Sequence, residues 1–221
     1  MTDIFDPSSD FETVTDGLEA VTLQVAGQED QAIAHAHRNQ AKNAEADEAD
    51  GDVRQGDTTW QWPAAESPTR PPLGSVIVDG AGDHWTILAI DNQVLRSKWS
   101  ATCRNLAVEA RLDTLVTIQQ AVYAKSDAGE AVPTWEDLHA GVRAKVQPIT
   151  KTPEIESDAE TTDQAYEIVL EADLADVPAA DLRIVDSEGS VYRIDDYRRP
   201  SRIDVLPVVE ATKVGEIEVG E

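Results

Sequence analysis

The chain has 221 residues, with 43 acidic against 18 basic side chains, a net charge of −25 and a single cysteine. A carboxylate excess of that size excludes a protein that coats nucleic acid or clings to anionic membranes, since both need clustered Lys and Arg. One cysteine excludes an intramolecular disulfide, and no run approaches the ~20 apolar residues of a membrane span.

Residues 1–17 lack the basic-then-apolar pattern of a secretory leader. They hold Ile4, Phe5, Phe11 and Val14 among acidic and turn-forming residues, and both phenylalanines of the chain are here. That placement reads as an arm. It either adds to a neighbouring subunit, making Ile4, Phe5 and Phe11 candidate contacts, or packs back onto its own module.

"LEAVTLQV" (Leu18–Val25) alternates like a strand. Residues 26–56 follow, rich in Ala, Gln, Glu and Asp and nearly devoid of large apolar side chains. Gln28–Ala46 has helix-favouring composition, with acids near its start. Only Ile33 offers an anchor, so the segment is read as an insert: a solvated loop or an arm ordered by a partner, with Ile33 a candidate contact. His35 and His37 would point to different faces of a helix, which argues against a shared metal.

"TTWQWP" (Thr58–Pro63) alternates again, and a Pro-rich connection leads to "GSVIVDGAGDHWTILAI" (Gly74–Ile90). A β-branched run ending in Asp, a Gly-containing turn and an alternating second run describe a β-hairpin. Gly82 sits where such a turn needs positive φ. "KWSATCRNL" (Lys98–Leu106) reads as the next strand, with Cys103 a small buried residue.

The same order then returns. "DLRIVDSEGSVYRIDDY" (Asp181–Tyr197) lies over the first hairpin without gaps, at a constant shift of 107 positions. Ile77, Asp79, Gly82, Trp85 and Ile87 fall on Ile184, Asp186, Gly189, Tyr192 and Ile194. Leu112–Val122 resembles the first strand, Ala165–Leu170 falls on Thr58–Pro63, and Val205–Lys213 falls on Lys98–Leu106. The fold class that follows is mainly β: two tandem small barrel or sandwich modules related by duplication, with one Ala-rich insert. The modules span 18–110, including the insert at 26–56, and 111–213, with 214–221 an acidic tail. Trp85, Tyr192 and Trp135 are candidate core residues.

Chemistry is hard to find. Four scattered His and one Cys make no zinc pattern. There is no phosphate loop and no nucleophile elbow. No catalytic residue, metal or cofactor is expected, and the chain is read as a non-enzyme. One basic cluster stands out, "RIDDYRRPSR", with Arg193, Arg198, Arg199 and Arg202. It either balances nearby Asp195, Asp196 and Asp204 or pairs with carboxylates on a neighbouring subunit, which makes Arg198, Arg199 and Arg202 candidate contacts.

The second half has a recognisable order. "VTIQQAVYAKSDAGEAVPTWEDLHAGVRAKVQPI" (Val116–Ile149) gives a strand, a Gly-containing turn, "TW" and a strand ending in V-x-A-x-V-x-P. "AYEIVL", the hairpin and a final strand follow. Leu112–Lys213 resembles the head–tail joining proteins of tailed bacteriophages, also called head-completion or stopper proteins. The first module matches only through the repeat, and its insert departs from the pattern. The resemblance implies a small β-barrel that forms a ring, usually a hexamer, in the virion at the head–tail interface. Such a ring would be assembled in the host cytoplasm, would sit below the portal and would seal the packaged DNA. Its partners would be itself, a portal or adaptor protein, and a tail terminator or tail tube protein. Neither sequence-specific DNA binding nor a membrane is implied. Other readings are a tail terminator, a capsid-decorating protein, a non-viral two-barrel binding module and an unrecognised hydrolase.

Overall fold

The computed structural model describes residues 11, 15–40, 56–92, 97–125, 131–149, 164–174 and 178–217. The chain folds as two compact units, residues 1–109 with 202–204 and residues 110–201 with 205–221.

The first unit is a closed six-stranded barrel. Its strands are β1 (Leu18–Gln24), β2 (Gln31–Gln40), β3 (Thr58–Pro63), β4 (Val76–Val78), β5 (His84–Asn92) and β6 (Lys98–Arg104). Around the ring they run β1-β2-β3-β6-β5-β4, and β4 closes onto β1. All neighbours are antiparallel, and closure removes the sheet edges that would otherwise template pairing. Alternating residues fill the inside. Trp60 and Trp62 are 0% and 1% exposed, and Leu23, Ile77, Ile87, Ala101 and Cys103 complete the core with them. Burial of Cys103 pushes its thiol well above the usual range, so it stays protonated and inert.

The second unit repeats the plan with β7 (Thr114–Lys125), β8 (Ala131–Ile149), β9 (Ala165–Leu170), β10 (Leu182–Asp186), β11 (Ser190–Arg198) and β12 (Val208–Glu216). Its ring runs β7-β8-β9-β12-β11-β10, the same order shifted by six strands. Ile118, Ile168, Leu170, Ile184, Tyr192 and Val209 form its core. The two hairpins share register: Ile77 faces Trp85, and Ile184 faces Tyr192. Both second strands are bulged at one place, beside Leu88 and beside Asp195. Register also corrects the ungapped shift at β3. Ala101 lies between Ile90 and Trp60, and Val209 between Tyr197 and Ile168, which places Trp60 with Ile168.

Residues 31–40 of the expected insert are barrel wall. β2 pairs with β1 on one side and β3 on the other. Ile33 is 2% exposed in the core, which removes it as an intersubunit contact. A bulge opposite β1 lets Ile33 and Ala36 both face inward. The Glu66 carboxylate accepts the Ala34 and His35 amides at 2.5 and 3.3 Å, which satisfies backbone groups at the bulge. The counterpart of β2 is β8, which runs through "TW" as one 19-residue strand.

Two further differences are local. β6 stops at Arg104, and a five-residue helix, α1 (Leu106–Ala110), follows where only a strand was expected. Asn105 caps it, its side-chain oxygen accepting the Val108 amide at 3.0 Å. At the other end β12 runs to Glu216, so residues 214–216 of the expected tail belong to the sheet.

Candidate functional site

The repeated feature with the most specific geometry is the hairpin turn. In the first barrel Asp79 Oδ1 accepts the amides of Ala81 and Asp83 at 2.9 and 3.0 Å, and Oδ2 accepts the Trp85 indole N–H at 3.0 Å. In the second, Asp186 Oδ1 accepts the amides of Glu188 and Ser190, both at 2.9 Å, and Oδ2 accepts the Tyr192 hydroxyl at 2.8 Å. Gly82 and Gly189 take φ of 83° and 86°, the left-handed region the turn requires. A short Asp side chain is needed here because it must reach two amides of its own turn. The aromatic six residues on must offer a donor, and Trp and Tyr both can.

Burial alone would raise the Asp79 carboxyl. Donors from Trp85, Asp83 and Ala81 and the nearby Arg38 guanidinium outweigh it and hold the pKa below the usual carboxylate value. A depressed folded-state pKa adds stability that is present at neutral pH and lost as pH falls through the folded value. Asp79→Asn is therefore expected to lower the melting transition of the first barrel at pH 7, by about 1–3 kcal/mol. The difference should vanish below the folded pKa. Tryptophan fluorescence reports this, since Trp60, Trp62, Trp85 and Trp99 all lie in the first barrel.

Each turn also walls a groove. The first groove, about 700 Å³, is lined by Ala20, Val21, Thr22, Val78, Asp79 and Gly80 among others. The second, about 310 Å³, is lined by the corresponding Leu115, Val116, Thr117, Val185, Asp186 and Ser187. The second is the smaller, with Leu115 in place of Ala20 and Ile217 at its rim. The first groove also carries His35, whose Nδ1 lies 2.6 Å from Glu66 Oε1. Among the described residues no cluster of three or more His, Cys, Asp or Glu could hold a metal ion.

Tyr192 is 4% exposed and lies in the core with its ring edge-on to Tyr166. Its hydroxyl is held to Asp186, and burial together with that bond keeps it protonated. Removing the hydroxyl with Tyr192→Phe orphans one Asp186 acceptor, and thermal unfolding should show a loss of about 1–3 kcal/mol. Trp85 is half-buried, packed edge-on against Trp60 with the Arg38 guanidinium 5.5 Å from its ring. Trp135, expected in the core, lies instead on the outer face of the second barrel. The Arg183 guanidinium covers its ring at 4.3 Å.

Arg198, Arg199 and Arg202 are exposed and paired within the chain. Arg198 contacts Glu210 and Asp196, Arg199 lies 3.2 Å from Asp173, and Arg202 donates to Asp204 at 2.8 Å. Of the arm residues, Phe11 packs its ring under the Lys98 ammonium at 5.7 Å. Ile4 and Phe5 lie outside the described residues.

Residues 109–211 match the family of the phage head completion protein. The match covers the second module, where the resemblance was read, and leaves the first module outside it. Among solved structures, a chain described as "Virion of native gene transfer agent (GTA) particle" is 20% identical, covering 48% of this chain and 96% of that one, with a TM-score of 0.36. No curated protein matches.

Proposed function

We propose that this protein is a structural component of a tailed-phage virion, a head completion protein that forms a ring below the portal, closes the DNA channel and receives the tail. The observation that carries the reading is the family match over residues 109–211, which takes in β7 to β11 and the start of β12. The identical strand ring and Asp-capped turn of the first barrel support an internal duplication. A duplicated chain can present two barrels per subunit to its neighbours.

The remaining features agree with a scaffold. Both barrels are filled by side chains, and the two matching turns spend their carboxylates on their own backbone and on the Trp85 and Tyr192 side chains. The net charge of −25 suits a wall past which DNA must slide without adhering, since adhesion comes from cations that displace counterions. Six copies would bring about −150 charges, screened beyond a Debye length of about 8 Å. The candidate contacts at Ile4, Phe5, Phe11, Arg198, Arg199 and Arg202 belong to this reading as surfaces for neighbouring subunits, portal or tail proteins.

The test is a binding comparison. The purified protein should sediment with DNA-filled, portal-bearing heads and should give no shift with duplex DNA at about 0.15 M salt. Binding to free DNA but not to heads would replace this function with DNA gripping.

A further inference from the structure

The outer face of the second barrel carries a cluster that its core does not use. Gln119 and Tyr123 of β7 lie opposite Asp137 and Pro133 of β8, and buried Ala121 lies opposite Trp135. Arg183 on β10 stacks over Trp135 at 4.3 Å and donates Nε–H to the Gln119 side-chain oxygen at 2.7 Å. Gln119 in turn donates to Asp137 at 2.8 Å. Tyr123, 58% exposed, anchors its hydroxyl on Asp181 at 2.9 Å. Arg193 sits directly across from Arg183 on β11.

The arrangement serves the barrel poorly. Two arginines face each other across a strand pair, only Arg193 has a carboxylate beside it, Asp195, and partial burial of Arg183 costs hydration. By register, the first barrel places Gln24, Val76 and Thr86 where the second has Gln119, Arg183 and Arg193. The same fold is therefore built without the cluster, and the cluster occurs once per chain. Trp, Tyr and Arg are the residue types that carry most binding energy at protein interfaces. Arg38, Arg104, Arg193, Arg198, Arg199 and Arg202 all pair with carboxylates of the chain, Arg193 with Asp195 at 3.1 Å. Arg183 does not: its partners among the described residues are an amide oxygen and an indole face.

We infer that Trp135 and Arg183, flanked by Tyr123 and Arg193, are the receptor for a carboxylate-bearing surface of a second copy of this chain. Charge selects the occupant. With 43 acidic residues against 18 basic ones, most charged side chains that a second copy can offer are carboxylates. Between like-charged copies, a cation that receives a carboxylate relieves the repulsion and fixes the register of contact. A receptor present once per chain, facing a different surface of its neighbour, is a heterologous contact. It propagates around a ring instead of closing as a two-fold dimer. The inference rests on the ring-forming function proposed above.

Sedimentation velocity of the full-length protein over a concentration series, at 0.05 and 0.5 M NaCl, tests it. Wild type should assemble, and more weakly at high salt. Arg183→Gln should raise the concentration for half-assembly at least about tenfold and flatten its salt dependence. Arg193→Gln, at a side chain 62% exposed and so harmless to folding, should raise it several-fold. Circular dichroism melts establish that each variant is folded. If both folded variants assemble like wild type, the receptor is wrong while the ring stands. If Arg183→Gln unfolds, Arg193→Gln decides on the same terms. Wild type that stays monomeric under every condition overturns both the receptor and the ring.

Discussion

Replacing residues 26–56 by a short Gly/Ser linker is expected to abolish the first barrel and leave the second folded. β2 supplies five register pairs to β1 and four to β3, so its removal breaks a closed ring into an open sheet with two bare edges. It also strips Ile33 and Ala36 from a core built around Trp60 and Trp62. The lost burial is only part of the cost, because β1 is then held by β4 alone, along three residue pairs. Heating followed by tryptophan fluorescence should show no cooperative transition for the first unit, while circular dichroism keeps the melt of the second. Shortening residues 41–55 to about half their length changes closure entropy by only ~0.6 kcal/mol and serves as the control. A variant without residues 26–56 that kept both transitions would contradict the ring order.

The second large effect is expected at Asp57. Its carboxylate is 0% exposed and takes two bonds from Arg104, from Nε at 2.6 Å and Nη2 at 2.9 Å. Glu109 on α1 lies 3.4 Å from the same guanidinium, so the pair ties the start of β3 to the end of β6 and to the helix. The Asp57 bond raises the pKa of Arg104 further, so the guanidinium cannot escape burial by losing its proton. Asp57→Ala therefore leaves a buried cation with only the partly exposed Glu109 beside it and should cost about 3 kcal/mol. Asp57→Ala with Arg104→Met removes both charges and should be less destabilised than Asp57→Ala alone. Urea unfolding of the single and double variants measures this. A double variant that loses the sum of the two single effects would mean the pair acts as two independent residues.

How much of this was legible depends on the distance over which each element is specified. The hairpins are written locally. Asp79, Gly82 and Trp85 each do their job within seven residues, and the same three jobs recur at Asp186, Gly189 and Tyr192, so spacing alone exposes them. β2 is not local. Its inward residues, Ile33 and Ala36, are three apart because of the bulge, which is helical spacing in a helix-favouring composition. The group that satisfies the bulge, Glu66, comes from about 30 residues downstream. Trp135 was misplaced for a related reason. An indole in a strand reads as core until Arg183, 48 positions away in sequence, is seen to cover its outward ring. Of the arginine partners, Asp196 and Asp204 lie two residues away and are readable locally, whereas Glu210 and Asp173 are brought to Arg198 and Arg199 by tertiary structure.

The place proposed for this protein is the vertex where head meets tail. Electron microscopy of particles assembled without it measures that most directly. The account predicts heads that package DNA, fail to retain it and carry no tails, with tails accumulating free, and restoration when the protein is supplied. Filled heads that join tails normally in its absence would contradict it.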